Sequence, residues 1–328
     1  MAMDEVTLRD VYLARQRIGP LVRRTPLVRS DWLSDVAGAG VYLKLESLQE
    51  TGSFKIRGAA NRLLSLPEEE RARGLIAVSS GNHGRAVAHV ARRLGLRAVI
   101  CISERVPANK VRAMQRLGAE VVIYGRSYDE AEAHSRRLEA EQGLLRVDPF
   151  DDPAVIAGQG TIGLELIEDL PQLDVAVVPL SGGGLISGIG TVLKAANPAV
   201  RLVGVSMDRA PVMVHSLRAG RPLELEEEDT LADALAGGIG LDNRLTFRLV
   251  QRLVDETALV TETWIARAMA LALEREHLVI EGGGAVGIAA LLAGKIAAGA
   301  GGHSVAVVVS GSNVDVPLLV KIVEETKL

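Results

Sequence analysis

Thr51-Gly52-Ser53-Phe54-Lys55-Ile56-Arg57-Gly58 sets a single lysine just past a Thr-Gly-Ser turn, at the start of a helical pattern. Ile56, Ala59, Ala60, Leu63 and Leu64 recur at helical spacing, and Thr51 or Ser53 can cap the helix start. The positive end of a helix dipole disfavours an ammonium and favours the neutral amine, the form that attacks carbonyls. In a partly dry pocket such an amine can form a Schiff base. An isolated Ser-x-Lys also occurs on ordinary surface helices, so this reading needs support from the rest of the chain.

Outward from that stretch, short apolar runs alternate with helical patterns. Residues 75–80, 98–102, 120–124, 174–180, 201–205 and 304–309 read as strands. Between them, Val87, Val90, Ala91 and Leu94 line one helix face that stops at Gly95, and residues 110–117, 265–276 and 285–296 also read as helices. Strand runs apolar on both faces predict parallel sheets covered on both sides, an α/β architecture. In such sheets ligands gather at the carboxyl ends of strands. Three turns there are rich in Ser, Gly and Asn: residues 79–84, 181–185 and 310–313.

Ser181-Gly182-Gly183-Gly184-Leu185 joins a strand to a helix. Consecutive glycines expose backbone N–H groups at a helix N-terminus, where a phosphate is favoured by hydrogen bonds and dipole together. A P-loop would need Lys-Ser/Thr after its last glycine, and a dinucleotide fingerprint would need glycine where Ser187 stands. The loop therefore suits one phosphomonoester. A second cluster, Glu281-Gly282-Gly283-Gly284-Ala285, opens another helix; Glu281 would repel an anion, so it reads as close backbone packing near the site.

Composition excludes several classes. The net charge of −4 carries no footprint for nucleic acid or an anionic membrane, and 3% aromatics argue against base- or sugar-stacking platforms. The acidic run 224–229 reads as a solvated loop. The single cysteine, Cys101, lies in an apolar strand and permits no internal disulfide, which fits a reducing compartment. With no signal pattern at the N-terminus and no apolar stretch of membrane-spanning length, a cytoplasmic protein is expected.

Taken together, the segments resemble the threonine dehydratase and serine racemase family of fold-type II pyridoxal-phosphate enzymes. Ser53-Phe54-Lys55-Ile56-Arg57-Gly58-Ala59 is similar to the family's lysine signature, and Ser80-Gly81-Asn82-His83-Gly84 to its substrate and ring loop. The 181–185 loop is similar to its phosphate loop, which usually has four glycines. Residues 153–161 and 310–315 also match, and the likeness runs from about residue 20 to the end. It implies a two-domain, tryptophan synthase β-like α/β fold with parallel-rich sheets flanked by helices. Residues 47–150 would form a small domain carrying Lys55 and the 79–84 loop. Residues 1–46 plus 151–328 would form a large domain carrying the phosphate loop and Ser310. A homodimer is implied as well.

The resemblance also implies roles. Lys55 would hold pyridoxal 5′-phosphate covalently, Phe54 would pack by its ring, and Asn82 would hydrogen-bond its 3′-oxygen. Ser181, Gly182, Gly183, Gly184 and Leu185 would cradle its phosphate. Ser310 would face the pyridine nitrogen; a hydroxyl cannot hold that nitrogen protonated as a carboxylate would, so the ring is a weaker electron sink. Ser79, Ser80, Gly81, Asn82 and His83 would receive the carboxylate of an amino acid substrate at a helix N-terminus. The Lys55 amine would then take the α-proton and the β-hydroxyl would leave, giving a 2-oxo acid and ammonia. Ser80 is either a second base on the opposite face, permitting racemisation, or only a carboxylate ligand or a cap for the helix.

Two departures matter. Positions aligned with the metal carboxylates of eukaryotic-type racemases hold Ser206 and Val212, with Asp208 and Asp233 as single acids, so no metal is expected there. His83 and His89 would not share a helical face and offer no alternative. Residues 206–209 and 232–235 differ from the threonine-specific pattern and are similar to dehydratases of hydroxyectoine breakdown. The chain ends soon after Asn313, so a regulatory domain and feedback by isoleucine are not expected. The expected activity is a hydroxy-amino-acid ammonia-lyase. The alternatives are a racemase with side elimination and a hydroxyectoine-pathway dehydratase.

Overall fold

In the computed structural model the first helix, α1 (Leu8–Ile18), opens on a capping box: the Thr7 hydroxyl accepts from the Asp10 N–H while the Asp10 carboxylate accepts from the Thr7 N–H. The structure describes residues 6–326 apart from Ser80, Arg105, Pro107, Ser127 and residues 298–301. After α1 come β1 (Leu27–Ser30), α2 (Asp31–Ala37), β2 (Gly40–Leu45) and α3 (Lys55–Ser65). Next are α4 (Glu68–Arg71), β3 (Leu75–Val78), α5 (Asn82–Leu94), β4 (Ala98–Ile102), α6 (Ala108–Arg116), β5 (Glu120–Ile123), α7 (Tyr128–Gln142) and β6 (Leu145–Arg146). The second half holds α8 (Pro153–Asp169), β7 (Val175–Pro179), α9 (Gly184–Ala196), β8 (Arg201–Met207), α10 (Val212–Ala219), α11 (Thr246–Leu253) and β9 (Glu256–Val260). It closes with α12 (Glu262–Glu276), α13 (Gly282–Leu292), β10 (Ser304–Val309) and α14 (Val316–Glu325).

Two sheets result. One runs β1-β2-β10-β7-β8-β9, parallel throughout except for the β1–β2 pair; the other runs β5-β4-β3-β6 and is wholly parallel. Period-two alternation sends side chains to both faces of each sheet. In the larger sheet Val177, Val305 and Val307 enter one core while Ala176, Val178, Ala306 and Val308 enter the other. In the smaller sheet Leu75 and Ala77 face one core, Ile76 and Val78 the other. Fully burying one such valine is worth about 1.5–3 kcal/mol. Cys101 lies buried in β4, where burial pushes its thiol up to about 11. Glu120 and Ile123 are exposed because β5 is an edge strand. Among the described residues no helix is long and apolar enough to cross a membrane.

Two elements differ from expectation. The N-cap of α3 is Phe54, and no side chain caps it. Thr51 Oγ1 instead donates to the Ser53 carbonyl at 3.4 Å, and Ser53 Oγ has no partner among the described residues. The last glycine-rich helix begins at Gly282 and ends at Leu292 rather than running over 285–296. Glycine there allows close approach: a Cβ at Gly284 would stand 2.6 Å from the Gly311 carbonyl oxygen.

A buried ionic cluster ties α3 to the larger sheet. The Arg57 guanidinium donates to Glu46 (2.7 and 2.8 Å) and to Glu165 on α8 (2.7 and 3.0 Å). Lys44 on β2 sits 2.6 Å from Glu165 and donates to the Thr25 carbonyl at 2.7 Å. Two cations thus meet two carboxylates out of water. Burial works against the charge on Glu46, but Arg57 outweighs it and holds the carboxyl below its ordinary 4.5. Its contribution to stability is therefore complete above that pH and is lost as pH falls through the lowered value. Arg57→Ala would strand two buried carboxylates on Lys44 alone and should cost about 3–5 kcal/mol in urea unfolding at neutral pH. An unchanged unfolding midpoint would show that the cluster contributes nothing.

Candidate active site

The lysine turn is stitched to the end of β10. Ser53 and Gly311 form an antiparallel bridge, the Phe54 N–H donates to the Ser310 carbonyl at 3.1 Å, and the Ser312 N–H donates to the Gly52 carbonyl at 2.8 Å. Lys55, first residue of α3, therefore stands beside the carboxyl ends of β10 and its neighbour β7. Its Nζ donates to the Pro149 carbonyl at 2.8 Å and lies 5.3 Å from the Phe54 ring centroid. The side chain keeps partial exposure, yet protein surrounds its amine. Among the described residues no carboxylate pairs with it, and burial lowers its pKa from 10.5 to about 8.

Residues 149–151, which sequence reading passed over, connect this amine to the glycine loop. The Pro149 carbonyl accepts the Lys55 hydrogen bond, and Phe150 packs so tightly on the loop that a Cβ at Gly182 would collide with its ring. Asp151 accepts the N–H groups of Arg244, Leu245 and Thr246 (2.8, 3.0 and 2.8 Å) at the start of α11. The only sequence signal is an Asp-Pro-Phe-Asp-Asp turn before a helix. In the loop itself Gly183 has φ +86°, a left-handed conformation, and is the N-cap of α9. No side chain caps α9, so its first N–H groups are left for an anion. Leu185 turns into the core, and Ser181 keeps partial exposure.

The 79–84 loop ends at α5, whose N-cap Gly81 borders open space: a Cβ there would meet nothing within 4 Å. Ser79 Oγ accepts the Gly81 N–H at 3.2 Å. His83 Nε2 is 2.8 Å from the Val147 carbonyl, which can only accept. Burial first, and Lys55 second, lower this imidazole to about 3, so it is neutral with its proton on Nε2. The His83 side chain is thus engaged in the fold; only its backbone belongs to the open helix end. Ser80 lies outside the described residues.

Asn82 is tied to the turn after β10 by a residue whose part in the site went unread. Glu281, N-cap of α13 and 3% exposed, accepts from Asn82 Nδ2 at 2.6 Å and from the Asn313 N–H at 3.0 Å. Its own N–H donates to the Gly311 carbonyl at 3.1 Å. Burial, then the charge of Asp233, push its carboxyl up to about 7. Ser310 Oγ donates to the Gly283 carbonyl at 3.3 Å. An acid immediately before three glycines was the available signal. Of the positions aligned with metal ligands elsewhere, Ser206 donates to Met207 Sδ at 3.3 Å and Val212 is buried at the start of α10. Asp208 is exposed, and Asp233 pairs with Lys110 of α6 at 2.8 Å.

A family model described as pyridoxal-phosphate dependent enzyme matches residues 18–311, a span that includes every strand of both sheets. The chain belongs to this family. It is 45% identical over 320 residues to an L-threonine ammonia-lyase of Thermotoga maritima, covering 98% of this chain and 79% of that protein. It is 40% identical over 321 residues to a catabolic L-threonine dehydratase of Staphylococcus aureus, covering 97% and 92%. Maize serine racemase superposes with a TM-score of 0.91 at 35% identity, covering 96% of both chains. The fold is that of the fold-type II pyridoxal-phosphate enzymes.

The residues present suit that cofactor. An aldehyde needs an amine that can shed its proton, and Lys55 is lowered toward neutrality. A phosphate needs unshared N–H groups at a helix start, and α9 offers them behind a glycine cradle that side chains would fill. A pyridoxal-phosphate enzyme in which Gly182→Ala displaces Phe150 should lose cofactor affinity. Overpacking of about 1–3 kcal/mol corresponds to a dissociation constant raised roughly tenfold, measured by equilibrium dialysis of the apoenzyme. Unchanged affinity would mean that this loop does not hold the cofactor.

Proposed function

We propose that this chain is a pyridoxal-phosphate-dependent hydroxy-amino-acid ammonia-lyase, converting a serine- or threonine-type substrate to a 2-oxo acid and ammonia by α,β-elimination. The observation that carries the reading is Lys55: a buried amine without a carboxylate partner, its basicity lowered, fastened beside the glycine loop. Identity of 45% to the Thermotoga maritima L-threonine ammonia-lyase supports the substrate class. When bound, pyridoxal phosphate supplies an electron sink for negative charge at the amino acid's Cα.

The chain's own residues take the remaining parts. The first N–H groups of α9, with Ser181, Gly182, Gly183, Gly184 and Leu185, hold the phosphate. The start of α5, with Ser79, Ser80, Gly81, Asn82 and His83, receives the substrate carboxylate; Gly81 leaves room for it. Asn82 would hold the ring oxygen, Phe54 would pack on the ring, and the Ser310 hydroxyl would serve the pyridine nitrogen. Lys55, once its amine is free, takes the α-proton. Residues 47–150 would form the small domain and residues 1–46 plus 151–328 the large one; because the lysine turn is tied to β10, closure that excludes water would be carried by the part of the small domain beyond α3. Exposed Val316, Leu318 and Val320 on α14 support a homodimer, and the unpaired, buried Cys101 supports a reducing cytoplasm.

A second reading, an amino-acid racemase, is favoured by the 0.91 TM-score to maize serine racemase and by the serine at position 80. Keto acid and D-isomer followed from one L-hydroxy amino acid separate the two. Ser80→Ala should abolish D-isomer formation and spare ammonia release; joint loss of both would make Ser80 a binding residue. Lys55→Ala should remove the visible absorbance of the loaded enzyme together with ammonia release from every member of a β-hydroxy amino acid panel. Because the neutral amine is the nucleophile, capture of added pyridoxal phosphate by the apoenzyme should accelerate as pH rises, with a midpoint near about 8. A midpoint at the ordinary lysine value of 10.5 would contradict the buried-amine assignment.

A further inference from the structure

A directed chain of hydrogen bonds runs beside Asn82. Arg85, which can only donate, donates a hydrogen bond to Asn313 Oδ1. Asn313 Nδ2 donates to Asn82 Oδ1 at 2.6 Å and to the Thr51 carbonyl at 2.9 Å. Asn82 Nδ2 donates to Glu281 Oε1 at 2.6 Å, and Glu281 Oε2 takes the Asn313 main-chain N–H at 3.0 Å. The fixed donor at one end and the twofold acceptor at the other orient both amides, which could otherwise lie either way round. The chain closes on Gly311, where a Cβ would collide with the Glu281 carboxylate. Every proton of the Asn313 amide is used. Asn82 keeps one N–H, which meets no second acceptor among the described residues.

We propose that Glu281 is a positioning residue for the reaction, holding Asn82 so that an N–H, and never a carbonyl oxygen, is presented to the cofactor's ring oxygen. The inference rests on the reading that Asn82 meets that oxygen. Glu281 touches neither the substrate nor the cofactor; it acts through Asn82. An amide at position 281 would bring one acceptor to two arriving donors. The chain would then either reverse at Asn82 or part at Asn313, and in both cases the presented N–H is lost.

The test is Glu281→Gln in the holoenzyme at a pH well above the value of about 7 to which burial pushes the Glu281 carboxyl, where both of its oxygens accept, read by the visible absorption band and by the dissociation constant for pyridoxal phosphate. A folded variant should show a displaced band and affinity weakened about tenfold or more, the range for a hydrogen bond involving a charged group. A folded variant with the wild-type band and affinity overturns the proposal. Should Glu281→Gln fail to fold, Asn313→Asp, which turns an acceptor toward Asn82 Oδ1, must give the same displaced band, and its absence is equally fatal. The wild type offers a route without substitution: of the two Asn82 side-chain amide protons, the one not given to Glu281 should shift in NMR when pyridoxal phosphate is added. An unmoved pair overturns the proposal. A wild type that stays colourless with added cofactor defeats the underlying reading instead, so the two failures are distinct.

Discussion

Two main-chain hydrogen bonds, Phe54 N–H to the Ser310 carbonyl and Ser312 N–H to the Gly52 carbonyl, fasten the lysine turn to the end of β10. Main-chain bonds fix position without depending on side-chain rotamers, so the origin of α3 is set by the larger sheet and not by α3 itself. Since β10 pairs with β7 through Val305–Val175, Ala306–Ala176 and Val307–Val177, the amine and the glycine loop share one rigid frame. The N-cap position then falls on Phe54, which carries no capping atom, while Thr51 Oγ1 is turned to the Ser53 carbonyl.

The electrostatics follow from which cation is given partners. Lys55 and Arg57 stand two residues apart on α3, both taken largely out of water. Arg57 cannot deprotonate and is met by Glu46 and Glu165, which hold its charge against burial. Lys55 is met by a carbonyl alone, and the fall of its pKa from 10.5 to about 8 corresponds to roughly 3 kcal/mol against its charged form. One helix thus carries a permanent ion for anchoring and a dischargeable amine for chemistry. The two needs are separated by supplying carboxylates to only one of them.

Near the site, several helix starts are glycine-rich or lack a side-chain cap: α3, α5, α9 and α13. Thr7, Ser30 and Asp152 cap α1, α2 and α8, whereas α4, α10, α12 and α14 also lack a side-chain cap, so it is the glycines and not the missing cap that set α9 and α13 apart. At α9 the glycines admit Phe150, Met213, Thr246 and Val250 against the loop, so the N–H groups are shaped from behind while their open side is kept. At α13 the same composition serves a different end, the seating of Glu281 against Gly311.

How far the chain could be read without coordinates depends on the range of the interaction. Strand runs, the helix from Lys55, the glycine loop and the buried Cys101 were legible, because hydrophobic period and glycine placement act between residues a few positions apart. The partners of those residues were not. Lys55 meets Pro149, 94 positions on, and Asn82 meets Glu281, 199 positions on. Nothing local in an Asp-Pro-Phe-Asp-Asp turn or in an acid before three glycines specifies such meetings. His83 shows the same limit in reverse: its place in the substrate loop was visible, but the carbonyl of Val147 that claims its ring was not. The amino-acid order alone determined which groups could do chemistry and which runs would form sheets. Only the packing of one sheet's strand ends against the other's decided which groups meet, because a hydrogen bond is won by the neighbour in space, whatever its distance along the chain.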